Sequence, residues 1–309
     1  MATSGSTNYN LTRDNIITLA FQTLGVYGAG ESPSSADTSF ANDMFNMMVK
    51  AFQGQGAHLW KHTEAGIYFT ADTAKYSLPG VSGGDDPAET ALASAAAAAA
   101  TSLTVDSTTG MAVSDVILIE LDAGTLQSTT ISTIPSSTTL TIASGLTSVA
   151  AIDNKIYTYT TAIGRPLRIS SARLRNSSDD DRELTALSRS EYFSLTNKDS
   201  AGSPTSYYYD PQLTTASLYV WPVPDTVDQR LEITYSKSLE DFDAAGDNPD
   251  FPQEWLLALM WNLASLLAPA YGKDAKARAI IIPRAEAELQ KVLGYDKELG
   301  EIVFSYSQY

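Results

Sequence analysis

The chain contains no cysteine, which excludes disulfides, thiolate nucleophiles and cysteine-ligated zinc. Histidine is nearly absent too, with His58 and His62 the only two. Positive charge is short: 20 Lys and Arg stand against 36 Asp and Glu, for a net charge of −16. Such a surface repels nucleic acid, so binding driven by phosphate neutralisation is a poor expectation, whereas a conduit that DNA slips through would suit it. No long apolar run is present. The longest, Trp255 to Leu267, is broken by Asn262 and Ser265 and is too short and mixed to span a bilayer. The polar opening MATSGSTNYN lacks the basic and apolar regions of a secretory signal. The expectation is a chain made and working in solution, without membrane association.

What is present describes a folded protein. The 309 residues are 43% hydrophobic and 18% charged, enough for one large domain or two smaller ones. Thr12 is placed to cap a helix, with Asp14 in its first turn and Gly25 at its end. Ile16, Ile17, Ala20, Phe21 and Leu24 recur between them at helical spacing. A second helix follows GAGESPSS, with Phe40, Met44, Phe45, Met47, Met48 and Phe52 as its expected buried stripe, ended by Gly54 to Gly56. GIYFTADTAKYSLPG then alternates as a half-buried pair of strands does.

From residue 88 the composition shifts. A run of alanines, shorter than the ~12–15 residues an isolated helix needs, reads as a linker or a lead-in to a strand. Short Val, Ile, Leu and Thr runs follow, punctuated by Gly, Asp, Pro and Ser, as in a small all-β unit. After residue 160 the chain reverts to a mixed α and β pattern. GRPLRISSARLRN reads as a strand, SDDDREL as a turn, and LSRSEYFSLTNK as a short helix capped by Ser188 or Ser190. SPTSYYYDP, ASLYVWPVPD and QRLEITYSKSLEDF read as antiparallel strands. In LYVWPVPD, Trp221 ends a strand, Pro222 and Pro224 stop the ladder because proline donates no N–H, and Asp225 begins an expected hairpin turn into Leu231–Tyr235.

The closing segment carries two long helices. Pro252 suits a first turn, and Trp255, Leu256, Leu259, Met260, Leu263, Leu266 and Leu267 form a broad apolar face that Pro269 and Gly272 stop. A last helix runs from about Asp274 to Leu293, with Ile281, Ala285, Leu289 and Val292 on one side. Pro283 costs ~3 kcal/mol in a helix interior, which predicts a kink or restart there. The predicted fold class is therefore α+β: a helical bundle with an antiparallel sheet segment, plus a small all-β insert. Residues 1–87 and 161–309 form a discontinuous host domain, and 88–160 the insert.

No motif carries chemistry. GVSGG places Ser82 in a nucleophile-elbow pattern, but DDP follows where a helix must start, and both histidines lie upstream. His58 and His62 in HLWKH lack the glutamate of a zinc protease motif. Asp179, Asp180 and Asp181, and the acids of DFDAAGDNPD, lack the alternation of a calcium loop and read as solvated turns. No catalytic residue, metal or cofactor is expected. Two features point to a partner. The chain has 16 tyrosines, a residue enriched at interfaces. In the tail EIVFSYSQY, Ile302, Phe304 and Tyr306 would share one strand face with Val303 opposite, and Tyr309 follows. Such a strand either joins another subunit's sheet or folds back on its own domain.

LYVWPVPD, LEITYSKSLEDF and DNPDFPQEWLLALMWNLASLLAPAYG, together with NIITLAFQTLGVYGAGESPS and FNMMVKAFQGQGAHLW upstream, resemble the head-to-tail adaptor, or packaged-DNA stabilisation, proteins of tailed bacteriophages, especially short-tailed ones. GRPLRISSARLR and LSRSEYFSLTNKDSAGSPTSYYYDP are similar to the family's central segment. The insert departs from shorter members and is similar to small β-domains of phage structural proteins. The resemblance implies a ring of about twelve copies beneath a portal protein, which retains packaged DNA and offers a platform to the next tail or nozzle protein. It implies a virion protein at the head–tail junction, assembled in the bacterial cytoplasm, through which DNA passes without sequence-specific binding. It further implies that Trp255, Leu259, Leu263, Leu266, Ile281 and Leu289 serve helix packing and subunit contact. The tail residues would reach a neighbour or the portal, and Asp179 to Asp181 would form an acidic loop or lumen. A virion-surface or tail-fibre module binding host glycan through the insert is the alternative. A cell-wall hydrolase using acids such as Asp241 or Glu254 would need two facing carboxylates, and the sequence shows no such pair.

Overall fold

A computed structural model describes residues 5–55, 59–80, 83–85 and 88–295. The chain divides into two compact units, one of residues 1–61 with 239–309 and one of residues 62–238.

The first unit is helical. α1 (Arg13–Leu24) begins where the Thr12 side chain accepts the Asn15 N–H and ends at Gly25, whose left-handed backbone (φ 65°) lets its N–H return to the helix at no steric cost. α2 (Ser35–Gln55) starts after Ser34, whose hydroxyl accepts the Asp37 N–H at 3.2 Å. Its buried stripe is Ala41, Phe45, Met48, Val49 and Phe52. That corrects the sequence reading: Phe40 and Met47 are 41% and 60% exposed, because each lies one residue off the 3.6-residue period set by 41, 45, 48 and 52.

After α3 (Arg189–Ser194), which belongs to the second unit, the helical unit resumes. A 3₁₀ turn, Gln253–Trp255, leads into α4 (Leu256–Leu267). α5 (Ala275–Tyr295) then starts at Asp274, whose carboxylate accepts the Ala277 N–H at 2.7 Å. The helix continues through Pro283 without a restart. Pro283 and Ala279 are both exposed, so the carbonyl left without its helical donor faces water and loses little. Trp255 closes the core between Phe52, Trp60 and Phe251, with ring centroids 6.2, 5.2 and 5.3 Å away. Leu259, Leu263 and Leu267 are fully buried beside it, each contributing roughly 1.5–3 kcal/mol by removal from water.

One carboxylate ties this unit's turns together. Asp37 accepts the hydroxyls of Tyr27 (2.5 Å), Ser34 (2.6 Å) and Tyr271 (2.5 Å). The α1–α2 turn is thereby joined to the α4–α5 turn.

The second unit is built of sheets. β1 (His62–Tyr68), β3 (Gly83–Gly84), β10 (Arg168–Arg175), β11 (Asp181–Glu183) and β15 (Arg230–Ser236) form a five-stranded sheet in the order β11-β10-β15-β1-β3. β2 (Lys75–Leu78), β12 (Thr185–Ala186), β13 (Ser206–Asp210) and β14 (Ala216–Trp221) form a four-stranded sheet, β12-β13-β14-β2. Ile67, Leu78, Leu218, Leu231 and Ile233 share one core contributed by both sheets. β1 and β2 therefore do not pair with each other. Nor do β14 and β15 form the expected hairpin. Past Trp221 the two prolines offer the ladder no donors, and the chain crosses to the other sheet, where β15 pairs with β1 and β10.

The remaining strands, β4 (Ala88–Ala91), β5 (Ser102–Thr104), β6 (Val116–Glu120), β7 (Leu126–Ser136), β8 (Thr139–Ile142) and β9 (Lys155–Tyr159), follow the order β4-β9-β6-β7-β8-β5. Leu92 bridges Val105, and the Ala93 and Asp106 amides bond across to Thr104 and Ala91. The first and last strands thus meet, closing a small barrel around Leu103, Ile117, Ile119, Leu140 and Ile156. Closure removes exposed sheet edges. The alanine run leads into β5: Ala96 bridges Ala150, and the Ala99 amide donates to Leu146 at 2.7 Å.

Candidate functional site

The face of the five-stranded sheet turned away from its core carries a charge lattice set by strand register. Cross-strand partners share a face, and Arg175 faces Arg230, Arg173 faces Glu232, and Asp181 faces Arg175. Arg175 grips Asp181 with two bonds of 2.7 and 2.8 Å. Arg173 grips Glu64 in the same forked way at 3.2 and 3.0 Å and reaches Asp181 at 2.9 Å. The Asp181 carboxyl is held below its ordinary range by its Arg175 hydrogen bonds, and Arg175 is held above its own.

Arg230 is the lattice's buried centre, 8% exposed. It donates to Glu232 at 2.6 Å, pairs with Glu89 of β4, and lies 3.7 Å from Asp179. Lys155 of β9 holds the same Glu89 at 3.1 Å. The barrel and the sheet are therefore joined through one guanidinium.

Tyrosines complete that junction. Tyr68, Tyr157 and Tyr159 form a buried cluster with Leu118, with Tyr68 centred 4.7 and 6.1 Å from the other two rings. Tyr159 lies on Gly84, where a Cβ would fall 2.0 Å from its ring, so that position requires glycine. The Tyr157 hydroxyl donates to the Val227 carbonyl at 3.0 Å. Burial pushes the Tyr68 hydroxyl well above its usual range and Tyr159 up to about 12. These groups stay protonated at neutral pH. Their rings are packing surface; the Tyr157 hydroxyl is a donor, whereas the buried Tyr68 hydroxyl meets no hydrogen-bond partner among the described residues.

The sequence-predicted residues are scattered. Trp255, Leu259, Leu263 and Ile281 are buried in the chain's own helical core, and Leu289 packs against it. Leu266 differs: it is 39% exposed, as is Leu257 at 46%, since both turn away from the stripe at 256, 259, 263 and 267. Asp179, Asp180 and Asp181 form the turn and start of the β10–β11 hairpin, but Asp181 and Asp179 face arginines and do not form a free acidic group. Ile302, Val303, Phe304, Tyr306 and Tyr309 lie outside the described residues, as do His58 and Ser82.

His62 sits in β1, and among the described residues no three His, Asp or Glu side chains gather to hold a metal. In DFDAAGDNPD, Asp241 and Asp250 pair with Lys50 and Lys61, and Asp247 accepts two turn amides.

One surface was not foreseen from sequence. α3 opens with a capping box between Ser188 and Glu191 and lays Tyr192 and Phe193 across Tyr208 of β13 and Tyr219 of β14, with ring centroids 5.0 to 6.1 Å apart. Lys75 stands over Tyr219 and Arg189 over Phe193. Phe193 remains 49% exposed. The YYY run was the available signal: alternation sends Tyr207 and Tyr209 to the core and Tyr208 to this face.

Residues 97–302 match the family model described as SU10 adaptor protein, a span of two-thirds of the chain that takes in most of the barrel, both sheets' later strands, and α4 and α5. No curated protein matches the chain.

Proposed function

The chain belongs to the SU10 adaptor protein family, consistent with a phage head-to-tail adaptor, and on that premise we propose that it forms a ring of about twelve copies beneath the portal. The ring retains packaged DNA and docks the next tail component. The observation that carries this reading is the family match over both the sheet region and the long closing helices.

In this reading residues 1–87 and 161–309 form the adaptor domain and 88–160 an inserted β-domain. The tail, residues 301–309, reaches a neighbouring copy or the portal. Leu257 and Leu266, exposed on α4, are the helix positions open to subunit contact, while the buried Trp255, Leu259 and Leu263 hold the helices that present them. The net charge of −16 keeps the channel from adhering to the DNA that passes through it. With Asp181 and Asp179 both facing arginines, Asp180 is what the β10–β11 turn offers a lumen. The protein works as a structural part at the head–tail junction, without catalysis or cofactor. No helix among the described residues is long and apolar enough to cross a membrane.

Electron microscopy of the purified protein mixed with its cognate portal tests this. Rings seated on the portal are expected, whatever the state of the protein alone. Portal that stays undecorated at saturating protein refutes the reading.

A further inference from the structure

An edge strand whose backbone groups are unmet is a template for another strand. The closed barrel offers none. In the five-stranded sheet, β3 is two glycines already bonded to Ala162 and Ile163. β11 at the other edge is the charged run Asp181–Glu183, which blunts it. In the four-stranded sheet, β12 has two residues. β2 is the longest of these edges, four residues held on one side by β14.

Register shows what β2 presents. The Val220 amide donates to the Ala74 carbonyl, and antiparallel pairing alternates. Tyr76 and Leu78 therefore turn their backbone groups to β14, while Lys75 and Ser77 turn theirs away from it. The Ser77 carbonyl lies against Gly80. The Lys75 N–H and carbonyl and the Ser77 N–H have no partner among the described residues, and both residues are exposed.

The two faces beside this edge differ. On the outer face Lys75 stands 5.5 Å from the centre of the Tyr219 ring, which stacks on Tyr208 at 5.6 Å. Lys75 faces no carboxylate among the described residues. On the inner face Tyr76 and Leu78 are already buried. A strand added here needs large apolar or aromatic side chains on one face, small ones on the other, and an acid close by. EIVFSYSQY has that pattern: Ile302, Phe304 and Tyr306 alternate with Val303, Ser305 and Ser307, and Glu301 precedes them. An aromatic ring opposite Lys75 would hold the ammonium between two ring faces.

We infer that residues 302–307 of a second copy add as a strand to the free edge of β2. A closed ring joins two unlike surfaces of each subunit, and a strand edge with a separate strand segment is such a pair. The inference rests on the ring reading above.

A fluorescent peptide of residues 300–309 tests the contact without portal. The wild-type monomer and F304S/Y306S, whose own segment lacks the aromatic face, are both expected to bind it by anisotropy. S77P deletes an outward N–H and leaves the β14 ladder intact, and should weaken binding about tenfold. K75E sets like charge against Glu301, weakens binding in the same direction, and covers the case in which proline impairs folding. Assembly on portal falls with F304S/Y306S and with S77P alike. Unchanged peptide binding by folded S77P, or by K75E where S77P does not fold, overturns the edge while leaving the ring intact. So does a peptide that fails to bind the chain, including one that binds portal instead. A peptide that binds F304S/Y306S but is excluded from the wild-type monomer places the segment on its own chain's edge and overturns the second copy. Wild-type protein that binds the peptide yet never assembles on portal overturns the ring reading and leaves the strand addition.

Discussion

Replacing Arg230 with methionine isolates the junction between barrel and sheet. Methionine keeps most of the stem's apolar contact and deletes the guanidinium, which strands Glu232, itself 5% exposed. Losing one partner of a buried pair costs about 3–5 kcal/mol, since the other charge stays buried. Two neighbours soften the loss: Arg175 lies 3.8 Å from Glu232, and Lys155 keeps Glu89 at 3.1 Å. The low end, about 3 kcal/mol, is therefore expected. For a unit the size of residues 62–238 each kcal/mol moves Tm by about 2–4 °C, so calorimetry should show the β unit melting roughly 6–12 °C lower. The variant R230M/E232L removes both charges and should regain most of that loss, because apolar residues of similar volume commonly replace a buried pair without penalty. An R230M protein melting within about 1 °C of wild type, or a double variant no better than the single, would refute a buried guanidinium holding the two parts together.

Two titrations provide independent checks. Hydrogen bonds from Ser34, then Tyr27 and Tyr271, hold Asp37 at about 2, below its ordinary 3.8. A depressed carboxylate stabilises the fold above its unfolded value and stops doing so as pH falls from about 4 through 2, so helical circular dichroism should decline across that window, and D37N should be less stable at neutral pH with a flatter acid limb. Glu120 has the opposite sign. Burial raises it above 4.5, with the charges of Asp228 and Asp122 adding to the effect and the Lys155 amide opposing it. The folded chain then holds that proton more tightly than the unfolded one, and stability falls as pH rises through the raised value. E120Q should erase that slope in Tm against pH; an unchanged slope would assign it to another group.

These contacts differ in how far the sequence discloses them. Caps and periods are local, so Thr12, Gly25, a cap at Ser188 or Ser190 and the Leu259–Leu263 face could be read from a few adjacent residues. Phase is less secure. α2 has apolar residues at 40, 44, 45, 47, 48 and 52, and only the partner helices decide that 41, 45, 48 and 52 face inward while Phe40 and Met47 do not. Strand pairing is not local at all. Nothing in LYVWPVPD reveals that the chain leaves one sheet for another after Trp221, and the shortest connection would be a hairpin. Charge shows the same limit most clearly. Asp179, Asp180 and Asp181 look like one acidic run, yet Asp181 is neutralised by Arg173 and Arg175 because β10 and β11 pair in one register; a shift by one residue would move those side chains to opposite faces. A net charge of −16 therefore says how much acid the chain carries, whereas register says where it remains uncompensated.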